Sequence, residues 1–466
     1  MRSRWIKDRK ETEMVELSSC AETGRRDFIK TAAGAFFIAS AGRAIGAGAP
    51  SNRVRLAIVG CHENGRGQAV MKNALKVPGV EIAWVCDVDS RARDYAANCV
   101  KVLTGRAPRK EKDLRKVLED PELDGIISET PDHFHAYSAV IAMRAGKAVY
   151  VEKPCIFCPE EGQILMRVAK ETGMVLQVGS QRRASATYRA AFKYLKETNA
   201  IGEMRYAKAW YQSNRKSIGV GRKVAVPEWL DWDIWQGPAP REAFRDNIVH
   251  YNWHWFRKWG TSEMGNNAPH FADAARWALG IHEFPESVQC AGSLAFPKGG
   301  DFEWPDVFNA SFKYRGGKII TFEMTCHGIS SSCCGVQTGA LVYGERGSLF
   351  LGPSDDAKVM DERGAVVKEW TEGGVEKKEG VISLTDPTGG LDVVHMAKFV
   401  ECIRARDQNT FAPADEGVKS SVLPILANLA ADCGETIRLD PATGRLRSKA
   451  GAEGWAREYE KGWELA

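Results

Sequence analysis

The sequence predicts an α/β protein whose first domain is built on a parallel, doubly wound sheet. Three observations predict it. Short apolar runs alternate with helical patterns at βαβ spacing between residues 54 and 151. A glycine-rich turn, Gly60-Cys61-His62-Glu63-Asn64-Gly65-Arg66-Gly67, follows the first run, and Asp87 closes the second. Finally Glu152-Lys153-Pro154 closes the run Ala148-Val149-Tyr150-Val151. That is the carboxyl end of a strand, where open α/β sheets bind their ligands.

The elements follow in order. Residues 54–60 form the opening strand, and Gly65-Arg66-Gly67 leads into a helical pattern through Leu75. The strand 80–86 ends at Asp87, at the distance from Gly60 expected of a carboxylate that takes the adenosine ribose hydroxyls. That carboxylate repels a 2′-phosphate and so predicts NAD over NADP, with Arg91 and Arg93 close enough to weaken the preference. A third strand, 124–129, runs into Thr130-Pro131-Asp132-His133-Phe134-His135, and a helix over 134–145 returns the chain to the strand before Lys153. The Lys153–Pro154 bond is a candidate for the cis form, which would seat the ammonium on a rigid support.

The glycine spacing is irregular. Where G-x-G-x-x-G needs its second glycine, this chain has His62; taken the other way, Gly60 and Gly65-Arg66-Gly67 make a G-x-x-G-x-G turn with two residues inserted. Either way the backbone at position 62 cannot approach a pyrophosphate in the usual manner.

Beyond this domain the pattern predicts helices at 159–173 and 184–198, a strand at 204–212, an aromatic-rich insertion and a helix near 267–279. Strands follow near 287–295, 305–314, 318–327, 338–343 and 348–352, with hairpin turns at Pro297-Lys298-Gly299-Gly300 and Arg315-Gly316-Gly317. Two last helices, 390–405 and 416–436, are expected to pack back near the nucleotide domain.

The first 49 residues stand apart. Thr23-Gly24-Arg25-Arg26-Asp27-Phe28-Ile29-Lys30 matches a twin-arginine leader, followed by an apolar run at 32–41 and a small-residue stretch, Ala47-Gly48-Ala49. The run is too short to span a bilayer and has the flanks of a signal segment. The expected domains are therefore a signal segment at 1–49, a nucleotide-binding domain at 50–177 and a second domain at 178–466. The twin-arginine export machinery becomes an expected partner, and a periplasmic or otherwise exported location the expected destination. The leader carries nine Lys/Arg and six Asp/Glu, so its removal lowers the formal charge from +4 to +1. A near-neutral chain argues against a nucleic-acid partner, and no later run is long enough to hold the mature form in a membrane.

Eleven of the twelve cysteines follow the leader. Cys61, Cys86 and Cys99 sit in apolar or helical surroundings and read as packing residues. Cys155-x-x-Cys158 has no second cysteine or histidine pair at zinc-ligand spacing, so no metal is expected there, while an exported protein could oxidise the pair.

In this order the glycine turn, Asp87, the TPDHFH turn and EKP resemble the Gfo/Idh/MocA oxidoreductases. Val178-Gly179-Ser180-Gln181-Arg182-Arg183, the stretch Trp229-Leu230-Asp231-Trp232-Asp233-Ile234-Trp235-Gln236-Gly237-Pro238, and Gly265-Asn266-Asn267-Ala268-Pro269-His270-Phe271-Ala272-Asp273 are similar to an exported branch of that family. The resemblance implies a Rossmann domain that binds NAD, then a C-terminal α/β domain with a large open antiparallel sheet. That sheet carries the substrate and often homo-oligomer contacts. Carried onto this chain, the cofactor-binding positions are Gly60, His62, Gly65, Arg66, Gly67, Asp87, Thr130, Pro131, His133, His135, Glu152 and Lys153.

The resemblance makes Lys153 the group that orients and polarises a substrate hydroxyl, and His270 the base or its relay. Pro269 fits the first turn of a helix, with Asn266 or Asn267 as its cap. His270 is then expected near the positive end of the helix dipole, which disfavours imidazolium, with Asp273 on the same face. The family often has aspartate four residues before this histidine, where this chain has Asn266.

Half of the fourteen tryptophans, Trp229, Trp232, Trp235, Trp253, Trp255, Trp259 and Trp277, fall within one 49-residue stretch. Rigid rings suit the apolar faces of sugars, although core packing accounts for more than half of them. Arg182, His254, Trp255, Asn266 and Asp273 are the expected substrate contacts. Three functions fit. The first is a redox enzyme on a carbohydrate or glycoside, either a plain sugar or cyclitol dehydrogenase or a redox-neutral enzyme that oxidises, eliminates or epimerises, and reduces again. The second exchanges hydride between two sugars. The third is a non-catalytic nucleotide- or sugar-binding protein.

Overall fold

The computed structural model describes residues 52–296, 299–328, 333–371 and 390–465. The twin-arginine segment lies outside these residues, as does half of the turn expected at 297–300. Among the described residues no helix is long and apolar enough to cross a membrane.

The first domain is the expected parallel sheet. Its strands are β1 (Val54–Val59), β2 (Val80–Cys86), β3 (Arg109–Glu111), β4 (Gly125–Ser128), β5 (Ala148–Val151) and β6 (Leu176–Val178), in the order β3-β2-β1-β4-β5-β6. Every pairing is parallel. β4, β5 and β6 are buried at every position, because helices cover both sheet faces. The connecting helices are α1 (Arg66–Leu75), α2 (Ser90–Thr104), the short α3 (Leu114–Val117), α4 (Asp132–Arg144) and α5 (Pro159–Thr172). Asp89 caps α2 by accepting the Arg91 N–H, and Pro159 opens α5, where its missing N–H costs nothing.

The second domain contains α6 (Ala186–Thr198), β7 (Met204–Gln212), α7 (Trp232–Gln236) and α8 (Ser262–Ala278). Then come β8 (Ser287–Ser293), β9 (Val307–Lys313), β10 (Ile319–Thr325), β11 (Thr338–Gly344), β12 (Gly347–Leu351), β13 (Asp356–Asp361) and β14 (Val366–Thr371). The chain closes with α9 (Gly390–Ala405), α10 (Ala414–Cys433) and β15 (Ile437–Arg438). Nine strands form one sheet in the order β14-β13-β12-β11-β7-β10-β9-β8-β15. It is mixed rather than purely antiparallel, because β7 and β10 pair in parallel at its centre. α8 lies across β7, β10 and β11 on one face, with α10 beside it.

One apolar core joins the two domains, running from Val149 and Val151 through Phe271 and Ala272 to Phe312 and Phe322. A second core lies on the other face of the parallel sheet. There Met396, Phe399 and Val400 of α9 cover Leu56, Ile58 and Tyr150, so this helix returns to the nucleotide domain as expected. The joint core fixes the crevice between β1, β4 and β5 on one side and α8 on the other.

Candidate active site

The turn after β1 is shaped by two glycines. Gly60 has φ +81°, and a Cβ there would lie 2.5 Å from the Glu129 carbonyl oxygen. A Cβ on Gly67 would lie 2.0 Å from the Gly60 carbonyl oxygen. Only glycine permits both contacts, and together they press the start of α1 against the end of β1. Gly65 precedes α1 in extended conformation and has no side chain to cap it, so no capping side chain stands between the start of this helix and an anionic ligand. His62, at the irregular position, stacks on His250 with ring centroids 4.1 Å apart. Burial, followed by the neighbouring His250, lowers its pKa.

Asp87 holds this turn together. One carboxylate oxygen accepts the Cys61 N–H at 2.7 Å and the other accepts the Asp89 N–H at 2.9 Å. The insertion between β7 and α8 folds back over the same end of β2. Ser90 N–H donates to the Trp229 carbonyl at 2.9 Å, and Asp231 N–H donates to the Val88 carbonyl at 3.1 Å. The Arg91 guanidinium lies 3.5 Å from the Trp229 ring centre, and His250 Nε2 lies 2.9 Å from Asp89 Oδ2. A segment of the second domain therefore clasps the adenosine end of the crevice. The glycine cradle, the helix start and Asp87 fit a dinucleotide.

The opposite end holds Lys153 and His270. The Lys153–Pro154 bond is cis. His135 supports this turn through Nδ1, 2.7 Å from the Pro154 carbonyl oxygen. Glu152 accepts from Gln181 Nε2 at 2.8 Å and from the Lys153 N–H at 3.1 Å. A Cβ on Gly179 would sit 2.8 Å from the Glu152 carboxylate, so that glycine makes room for it. Lys153 Nζ donates to the Asn266 carbonyl at 2.6 Å and lies 3.4 Å from Asn266 Oδ1. An ammonium has three donors, so one remains for a ligand. Burial lowers the Lys153 pKa, only partly offset by Glu152.

His270 faces the same crevice half-buried, and no described residue engages either ring nitrogen. Its pKa is driven well below the ordinary value by burial, then by Lys153, Arg182 and Arg66. The neutral ring is as expected, but its cause is not. α8 begins at Ser262, so Pro269 lies inside the helix and His270 is in its middle, away from the positive end. Desolvation and neighbouring cations replace the dipole as the reason.

Asn266 belongs to a buried chain that the sequence did not reveal. Its Nδ2 is 3.4 Å from Glu263 Oε2, and Glu263 in turn accepts from Arg215 at 2.5 Å. Burial alone would raise the Glu263 pKa, but Arg215 and then His254 hold it at about 2. Arg66, expected on the cofactor, forks onto Asp392 of α9 at 2.6 and 2.8 Å and also reaches Glu152 at 3.3 Å.

Several expected contacts lie elsewhere. His133 is buried between the carbonyls of Trp259 and Trp235, 3.3 and 3.1 Å from its ring nitrogens, and burial pushes its pKa down to about 3. It is a core residue of the Trp232–Trp235–Trp259 cluster, not a cofactor contact. His135 spends Nδ1 on the Pro154 carbonyl, while its buried Nε2 has no partner among the described residues. Thr130 stays beside the glycine turn, its backbone nitrogen 3.1 Å from a Cβ on Gly60 and its hydroxyl 3.3 Å from that of Ser128, and Pro131 precedes α4 as its cap residue. Asp273 is no substrate contact, because three bonds from Arg183 at 2.7 to 3.1 Å and one from Ser420 at 2.5 Å saturate it. His254 is buried, with Nδ1 2.6 Å from the Tyr251 carbonyl and Nε2 3.4 Å from Glu263 Oε2. Trp255 is packed on Phe302 at 4.2 Å, a core contact instead of a cleft wall. Arg182 is largely spent on the Gly352 and Pro353 carbonyls, although its buried Nε has no partner. Cys155 and Cys158 are both buried free thiols.

Residues 54–180 match the oxidoreductase family with an NAD-binding Rossmann fold, and residues 235–350 match the Gfo/Idh/MocA C-terminal domain. The chain is 32% identical to scyllo-inositol 2-dehydrogenase (NAD(+)) of Bacillus subtilis over 161 residues, 34% of this chain and 44% of that protein. It is 25% identical to a glycosyl hydrolase family 109 protein of Stenotrophomonas maltophilia over 299 residues, 60% of this chain and 61% of that one. These matches span about half of the relatives' own lengths. A levoglucosan dehydrogenase solved with NADH and levoglucosan shares the fold, at a TM-score of 0.61 and 17% identity over 83% of this chain and 99% of that one.

Proposed function

The chain belongs to the Gfo/Idh/MocA oxidoreductase family, with an NAD-binding Rossmann domain, and from that premise we propose that it oxidises a carbohydrate or glycoside with tightly held NAD and returns the hydride within the same catalytic cycle. NAD, when bound, supplies the hydride acceptor and donor. The observation that carries this reading is the pairing in one crevice of a desolvated ammonium with a donor to spare and a neutral imidazole. Lys153 orients and polarises the substrate hydroxyl, and His270 takes its proton. The resulting ketone acidifies the neighbouring C–H bond, so that loss of that proton permits elimination of a glycosidic leaving group or epimerisation before reduction. Glycoside cleavage through a 3-keto sugar is the version we favour.

Two observations support retention of NAD. The insertion that carries Trp229 and His250 lies over the end of β2 and ties to Asp89, Ser90 and Arg91. The leader with Arg25 and Arg26 would export the enzyme already folded, to where a dehydrogenase that released NADH would stop after one turnover. Likeness to a glycosyl hydrolase family 109 protein agrees with this reading. Likeness to an inositol dehydrogenase favours the second one, a plain sugar or cyclitol dehydrogenase. Mass spectrometry of nucleotide released from natively purified protein tests retention. Near-stoichiometric NAD is expected, and protein that purifies without nucleotide would refute it.

A further inference from the structure

Glu129 follows β4, against the glycine turn, and has no task in the chemistry above. Its carbonyl oxygen lies under Gly60, and its Cβ would be 3.2 Å from a Cβ on Gly67. The side chain therefore starts between the two glycines that shape the phosphate turn. Both of its carboxyl oxygens are buried, and neither has a hydrogen-bond partner among the described residues.

The charged and titratable groups around it come from four elements. Glu152, Lys153 and the Tyr150 hydroxyl belong to β5 and the turn after it, Asp392 to α9, and Arg66 to α1. Arg66 is committed to Asp392 and Glu152, and Lys153 donates to Asn266. Three carboxyl groups thus crowd around one guanidinium that already serves two of them. Burial first, then the charge of Glu152, raises the Glu129 pKa well above the usual carboxyl range. A dinucleotide brings its pyrophosphate to the same turn and adds negative charge.

We propose that Glu129 contacts NAD as a neutral carboxylic acid, donating its proton to an oxygen of the cofactor, so that NAD binds the protein with this side chain protonated. A protonated carboxyl has one O–H donor and keeps acceptor capacity. Burial and like charge can hold such a group neutral for the purpose of donating. The direction of linkage follows. Protonated Glu129 favours the NAD-bound form, so affinity is full at low pH and is lost as pH rises through the carboxyl pKa of the nucleotide-free protein.

The test is equilibrium dialysis of NAD+ against nucleotide-free full-length protein between about pH 6 and about pH 9 at fixed ionic strength. The wild-type Kd is expected to rise toward about tenfold per pH unit on its upper limb. Glu129→Gln keeps a donor but cannot ionise, so it should bind within about threefold of the wild-type low-pH Kd and lose the limb. Glu129→Ala should bind about tenfold more weakly and also lack the limb. A flat wild-type profile would overturn the proposal, as would an unchanged limb in Glu129→Gln, which would trace the titration to Lys153 or another group. Should Glu129→Gln fail to fold, a limb retained in Glu129→Ala would overturn it equally.

Discussion

Replacing Asp87 by asparagine separates the two jobs this carboxylate performs. One oxygen takes the Cys61 N–H at 2.7 Å and the other the Asp89 N–H at 2.9 Å. An amide offers one acceptor oxygen, so one of these N–H groups meets an NH2 instead. Losing a bond to a charged acceptor costs about 1.5 to 3 kcal/mol. If the glycine turn must keep its shape to bind NAD, that cost is a loss of affinity of about 10- to 150-fold. Removing the negative charge also relieves repulsion of a 2′-phosphate, so NADP should lose less than NAD. Titration calorimetry of both nucleotides on wild type and Asp87→Asn reads both effects. An unchanged Kd for NAD in the variant would refute the structural role, and a wild type that prefers NADP would refute the specificity role.

Lys153→Ala and His270→Ala should each keep the fold and NAD binding while lowering turnover by about 100-fold or more, and near wild-type turnover in either would remove that residue from the mechanism. Asp273→Ala leaves the buried Arg183 and Arg276 sharing Glu416 alone, at 3.0 and 2.5 Å. It should lower unfolding stability by about 3 kcal/mol, read by denaturant titration, whereas a raised KM at unchanged stability would restore Asp273 to the substrate site. His133 and His395 are both pushed down to about 3, chiefly by burial, from an ordinary value of 6.5. Between those values the unfolded chain binds protons that the native chain refuses, so stability falls as pH drops below 6.5 by about 1.4 kcal/mol per pH unit for each histidine. Thermal melts from about pH 7 to about pH 5 should show that fall, His133→Asn should reduce the slope by one histidine's share of about 1.4 kcal/mol per pH unit, and a pH-independent Tm would contradict it.

The nucleotide domain was legible because its signals are local. Gly60, Gly67, Asp87 and Lys153 all stand at strand or helix ends, where turn chemistry and buried runs announce them. The site around α8 was only half legible. Pro269 looks like a first-turn proline, yet packing across the mixed sheet carries the helix back to Ser262, which moves His270 away from the helix end. Asp273 shares the His270 face by spacing, but its partners Arg183 and Ser420 come from remote segments. The same holds for His133, held by carbonyls from the tryptophan insertion, and for Arg66, whose partner Asp392 is 326 residues away. Glu263 could have been found from its three-residue spacing to Asn266, had the helix start been placed correctly. The hairpin β13–β14 escaped because its outer strand is almost wholly exposed and has no apolar alternation to betray it.

The central claim is that oxidation is followed by loss of a neighbouring proton and return of the hydride. It is tested most directly with a glycoside deuterated at the carbon next to the oxidised position, turned over in ordinary water while NADH absorbance is followed. The account predicts loss of that deuterium with no net accumulation of NADH. Steady, stoichiometric NADH release with the deuterium retained would contradict it and make the protein a plain dehydrogenase.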